Sequence, residues 1–269
     1  MILKSLFLSL VWCLLLTGMA MAQSARDVVS LSVLPGARLE PDRHIAALQL
    51  RLKPGWKTYW RAPGEAGIPP SFNWSGSENL AAVNVLWPTP ILFHQYGMRS
   101  IGYSGDVILP LEISPLVRGD QITLSGEINL GVCQDICIPL QARFEAVLPT
   151  HRGALNSRIK QAIRQQPKSP HAAKLRTRRC DFAPVPDGLG LKVTLDMPPA
   201  GAPEQAAIET GNPLIWVAPP SATRTGGILS LETVLTHTAG QPFSVQRDAL
   251  RITVFGNKYA VDILGCSSN

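Results

Sequence analysis

Turn-forming residues cut this chain into short pieces. Pro35-Gly36, Pro54-Gly55, Pro63-Gly64 and Ser104-Gly105 punctuate its first half, and Pro198-Pro199 and Pro219-Pro220 its second. Proline cannot continue a helix, and glycine supplies the positive φ that tight turns need, so long helices cannot run through these positions. The runs between the breaks suit strands: 28–34, 44–52, 58–61, 71–74, 81–86, 107–113, 121–129 and 142–148, then 189–196, 206–209, 214–217, 227–235, 249–254 and 259–264. Ile45, Leu48, Leu50 and Leu52 read as the alternation of a half-buried strand. Short strands at this spacing predict an all-β protein of two β-sandwiches. One helix interrupts the pattern: Leu155, Ile159 and Ile163 repeat every four residues over 156–166, and Pro167 stops it.

The N-terminus carries Lys4, an apolar run from Leu6 to Leu16, and an Ala20-Met21-Ala22 ending. This is the layout of a cleavable secretory signal, and the run is too short to span a bilayer comfortably. Residues 1–22 are therefore read as a signal peptide, with Cys13 inside it and the mature chain directed to the periplasm. The remaining organisation reads as a first sandwich over 23–150, a basic helix and linker over 151–179, and a smaller second sandwich over 180–269.

Composition matters here chiefly through where the charge lies. The formal charge of +6 would suggest a polyanion partner if it were spread over a face. Yet nine Lys and Arg and no Asp or Glu fall between His151 and Cys180, while the other sixteen bases face all nineteen acids. The excess belongs to the connector, read as a solvated segment that could meet an acidic partner or anionic lipid. An exported protein has no call on nucleic acid.

Four cysteines follow the signal: Cys133, Cys137, Cys180 and Cys266. An even number in an oxidising compartment points to disulfides, and three connectivities are possible. Spacing favours Cys133 with Cys137 and Cys180 with Cys266. The long bridge closes most of the second sandwich, for about 4.5 kcal/mol by loop-closure entropy, and has a structural rationale. The short ring gains only about 2 kcal/mol on the same model. Close, exposed pairs are the reducible ones used in exchange chemistry. A static hairpin staple is the competing reading of Cys133 and Cys137.

The surroundings of that pair narrow the choice. In order along the chain stand Trp56-Lys57-Thr58-Tyr59-Trp60-Arg61-Ala62-Pro63-Gly64, Gly67-Ile68-Pro69-Pro70, Trp87-Pro88-Thr89-Pro90, Tyr96-Gly97, Gly102-Tyr103-Ser104-Gly105, Leu109-Pro110 and Cys133…Cys137-Ile138-Pro139. This ordered set resembles the periplasmic N-terminal domain family of the thiol:disulfide interchange protein DsbD, and within it the ScsB (suppressor of copper sensitivity) type. The resemblance covers residues 28–150 and extends more loosely over the second half. It implies immunoglobulin-like sandwiches and a dithiol, Cys133 and Cys137, that shuttles reducing equivalents to thioredoxin-like periplasmic proteins, as part of a protein-disulfide reductase system. By order, residues 93–97 take the place of the family's cap loop, with Phe93 and Tyr96 as cap residues. The 269 residues hold neither the family's membrane part nor its thioredoxin-like part, which implies a separate membrane electron donor.

Other groupings carry less. Trp56, Tyr59, Trp60, Trp74 and Trp87 are read as core and turn packing. His94 and Met98, near the dithiol in sequence, could with it make a soft copper(I) site, which keeps a copper-tolerance binding protein open as an alternative. A non-redox interaction module with inert cysteines is the other. No cofactor-binding or metal motif stands out, and neither cofactor nor metal is assigned.

Overall fold

The structure, a computed structural model, describes residues 28–95 and 97–268. The expected signal peptide, Cys13 and Tyr96 lie outside the described residues.

Among the described residues, ten strands build the first sandwich. One sheet runs in the order β1 (Val29–Glu40), β2 (Arg43–Leu52), β8 (Asp106–Ser114), β5 (Ala82–Val85). The other runs β10 (Cys137–Leu148), β9 (Ile122–Cys133), β3 (Lys57–Gly64), β7 (Met98–Ser104), β6 (Ile91–Gln95), with β4 (Ser71–Asn73) also paired to β9. The pairings are antiparallel. Leu48, Leu50 and Leu52 of β2, Leu109, Leu111 and Ile113 of β8, and Ile122, Leu124 and Ile128 of β9 meet in one core. Burying these side chains between two pleated faces is the main drive for the layering.

Ile45 departs from the expected alternation, because it points to the opposite face of β2 from Leu48. There it joins Ala47 and Ile159 in a separate cluster. Ile159 belongs to α1 (Ser157–Arg164), which lies over this outer face. The Asn156 side chain caps the helix by accepting from the Ile159 amide at 2.9 Å. The Leu155, Ile159, Ile163 stripe thus seals one sheet rather than facing solvent.

The segment after α1 is tied down as well. The Lys168 amide donates to the Ala260 carbonyl at 2.8 Å, and the Asp262 amide to the Lys168 carbonyl at 3.0 Å. Three of the connector's cations have acidic partners: Arg152 with Glu40, Arg158 with Asp106, and Arg176 with Asp196. Lys168 lies 4.2 Å from the centre of the Tyr259 ring. The solvated segment expected from composition is, over much of its length, packed backbone with its cations turned outward.

The second sandwich begins with β11 (Thr177–Val185), so Thr177, Arg178 and Arg179 are strand. Its larger sheet runs β11, β12 (Gly188–Asp196), β16 (Ile228–His237), β14 (Ile215–Val217), with β15 (Ser221–Thr225) also on β16. The opposing sheet is β13 (Gln205–Glu209), β17 (Arg251–Phe255), β18 (Ala260–Leu264). Leu191, Val193, Leu195, Leu229 and Leu231 face Ile252, Val254, Val261 and Ile263 across its core. The three-stranded sheet also uses its other face: Ala207, Phe255 and Ala260 complete the core of the first sandwich.

Candidate functional site

The hairpin between β9 and β10 carries the short cysteine pair. Cys133 ends β9, Cys137 opens β10, and the two stand opposite each other with Cα atoms 4.1 Å apart, joined as a disulfide. The tip is closed by the Gln134 amide donating to the Ile136 carbonyl at 3.1 Å. Burial splits the pair. Cys133 is 1 % exposed, whereas Cys137 is on the surface beside Ile136, which is 67 % exposed.

What covers Cys133 follows from strand order. β3 lies beside β9 with Lys57 opposite Cys133, so Tyr59, two residues on, shares their face. The Tyr59 hydroxyl donates to Cys133 Sγ at 2.9 Å and reaches Cys137 Sγ at 3.3 Å. Its ring is buried and runs through a slot that only small neighbours permit. A Cβ on Gly67 would lie 2.6 Å from Tyr59 Cδ1, and one on Gly131 3.2 Å from the ring's other edge. Phe93 of β6 stacks on the same ring, centroids 6.3 Å apart, and the Lys57 ammonium lies 5.4 Å from the Phe93 centroid. Burial pushes the Tyr59 hydroxyl above the ordinary phenol pKa, so it remains a proton donor at neutral pH.

This layout can be set beside known proteins. Residues 31–149 match the family model described as thiol:disulfide interchange protein DsbD, N-terminal. The first sandwich belongs to the DsbD N-terminal domain family. The matched span holds both Cys133 and Cys137, and the family is one of thiol–disulfide exchange. The fold of both sandwiches is similar to the N-terminal periplasmic domain of ScsB from Proteus mirabilis, with a TM-score of 0.70 at 21 % identity. That likeness covers 92 % of this chain and 97 % of the other. No curated protein matches in sequence.

The other expected site residues fall around or away from the Cys133–Cys137 disulfide. Phe93 stands one ring away from the sulfurs, through Tyr59. Phe93, His94 and Gln95, expected in a loop, lie on strand β6, where Phe93 pairs with Ser100 of β7. His94 and Met98 lie on the two arms of that hairpin, both exposed. Cys180 and Cys266 are bonded to each other, Cα atoms 5.8 Å apart. Their bridge ties β11 of one sheet to the segment after β18 of the other, and Cys180 is fully buried.

Two residues, Tyr59 and Arg61, hold places that residue type alone does not reveal. Of the five aromatics read as packing, Trp56 and Trp60 are core, and Trp74 packs against Phe72 and Phe144. Tyr59 is the exception, and alternation along β3 carries the signal, because Tyr59 stands two residues from Lys57, which lies opposite Cys133. Arg61 crosses to the second sandwich, donating to Glu209 at 3.2 Å, Thr253 Oγ1 at 3.2 Å and Asp262 at 3.4 Å. Its guanidinium also stacks on Trp60 at 3.8 Å.

Proposed function

We propose that the protein is a periplasmic thiol–disulfide exchange protein that passes reducing equivalents through Cys133 and Cys137 to oxidised thioredoxin-like partners. The observation that carries this reading is the unequal burial of the two cysteines at a hairpin end within a DsbD-type sandwich. An exposed sulfur can be reached by a partner, and a buried one beside it can resolve the mixed disulfide. In the reducing direction, the Cys137 thiolate attacks the partner's disulfide. One partner sulfur leaves with the electron pair, and a Cys137–partner disulfide forms. Cys133 then attacks Cys137 Sγ, the partner's second thiolate departs, and the protein is left oxidised. Loading runs the same steps backward from the dithiol of a separate donor, which we place in the membrane. Phe93 covers the Tyr59 ring whose hydroxyl meets the two sulfurs, and so serves as the outer part of the cap.

The periplasmic assignment rests on the signal-like N-terminus and on the likeness to the periplasmic domain of ScsB. Among the described residues no helix is long and apolar enough to cross a membrane.

The test is trapping. Reduced Cys133→Ser protein, mixed with an oxidised thioredoxin-like protein, should accumulate a covalent complex through Cys137, and reduced Cys137→Ser protein should accumulate little. A wild-type protein that transfers no electrons, or trapping through Cys133 alone, overturns the reading.

A further inference from the structure

The Tyr59 hydroxyl is buried, and among the described residues the two sulfurs are its only hydrogen-bond partners. A disulfide sulfur is a weak acceptor, so in the oxidised protein this contact gains little. A thiolate is a charged acceptor, and hydrogen bonds to charged groups are roughly twice as strong as neutral ones. The contact is therefore worth most in a state other than the one in which it is seen.

We propose that Tyr59 is a catalytic residue of the exchange, the donor that holds the Cys133 thiolate whenever Cys137 is bonded to a partner. This rests on the exchange reading above. When a donor thiolate attacks Cys137 Sγ, the new bond forms there, the Cys133–Cys137 bond breaks, and its electron pair leaves on Cys133 Sγ. That sulfur is buried, and burial alone disfavours a thiolate. The hydroxyl proton 2.9 Å away is placed to offset this. In the reverse step the same thiolate attacks, so one donor serves both directions. The proton stays on the tyrosine oxygen throughout.

Other charged or titratable groups stand on the elements around Cys133. Lys57 is opposite it on β3 with its ammonium by the Phe93 ring, Asp135 is in the hairpin tip, and His94 is on β6. Arg61 and Arg99 turn toward the second sandwich. A test must leave all of these unchanged.

The experiment uses the full chain carrying Cys137→Ala, so that Cys133 is the only thiol of the pair, and follows thiolate absorbance against pH. Adding Tyr59→Phe should raise the Cys133 midpoint by about one pH unit, about tenfold less thiolate at any pH below it. Equal midpoints, or a lower one with Tyr59→Phe, overturn the assignment. Should Tyr59→Phe not fold, fluorotyrosine placed at position 59 keeps the shape and makes a stronger donor. It should lower the midpoint, and no change overturns the assignment. The two readings fail separately. Exchange by wild type with equal midpoints removes only Tyr59, whereas a midpoint difference without exchange removes only the proposed function.

Discussion

A methyl group on Gly67 would lie 2.3 Å from Pro63 Cβ and 2.6 Å from Tyr59 Cδ1. Either the loop or the ring must move. Gly67→Ala should cost about 1–3 kcal/mol, as overpacking does, and should draw the Tyr59 hydroxyl away from the sulfurs. Denaturant unfolding measures the first effect, and the rate at which dithiothreitol opens the short disulfide the second. Unchanged values for both would show that the slot is slack. At this scale the sequence exposes some residues and hides others. Cysteines announce themselves by type and spacing, so Cys133 with Cys137 and Cys180 with Cys266 were readable. Tyr59 was not, because an aromatic in a strand looks the same whether its hydroxyl meets a sulfur or water. What separates them is which strand lies alongside, and the pairing of β3 with β9 joins residues some seventy positions apart.

Elements were legible where one periodicity ruled. The helix followed from its four-residue repeat, since α1 has a single buried stripe. Ile159→Ala should cost about 2–4 kcal/mol, because Ile45 and Ala47 cannot collapse into the space it leaves. Thermal unfolding would check this, and a cost under about 0.5 kcal/mol would mean the helix only rests on the sheet. β6 and β7 were not legible, because Ser100, Gly102 and Ser104 break the alternation in β7. β11 was hidden by Arg178 and Arg179, which are exposed on a strand whose buried member is Cys180. The two disulfides also differ as elements. Cys133–Cys137 closes one hairpin with one of its residues exposed, while Cys180–Cys266 joins two sheets from a buried position. Mild dithiothreitol should therefore open the first well before the second, as alkylation and mass spectrometry at each step would record. Equal midpoints would favour two static staples.

Across the whole molecule the sandwiches meet through a charged cluster whose members are unequal. Burial lowers the Arg61 pKa despite Glu209, and burial lifts the Glu209 carboxyl above its ordinary value despite Arg61. Burial also pulls on Asp262, but hydrogen bonds from Arg251 and Thr253 and the charges of Arg61 and Arg251 hold it below its ordinary value. A lowered folded pKa means that Asp262 stabilises at all pH values above the unfolded carboxyl value, and that this is lost as pH falls through the folded one. Glu209 has the opposite sign and is easier to fold protonated. Asp262→Asn should thus cost on the order of 2 kcal/mol at pH 7, a difference that shrinks in acid as the wild-type carboxyl takes up its own proton. Glu209→Gln should change stability by less than about 1 kcal/mol. Unfolding curves at several pH values decide this, and equal costs would contradict the ranking.

Phe255 meets the Trp60 ring edge-on at 5.6 Å, and Ala207 and Ala260 fill the same core. The first sandwich is therefore not an autonomous module that could be lifted out and grafted elsewhere. A fragment ending near residue 150 would show a wet tryptophan and an orphaned guanidinium. Heating the whole chain should give one cooperative transition, not two, and evolution could not have lost the second sandwich without rebuilding one wall of the first.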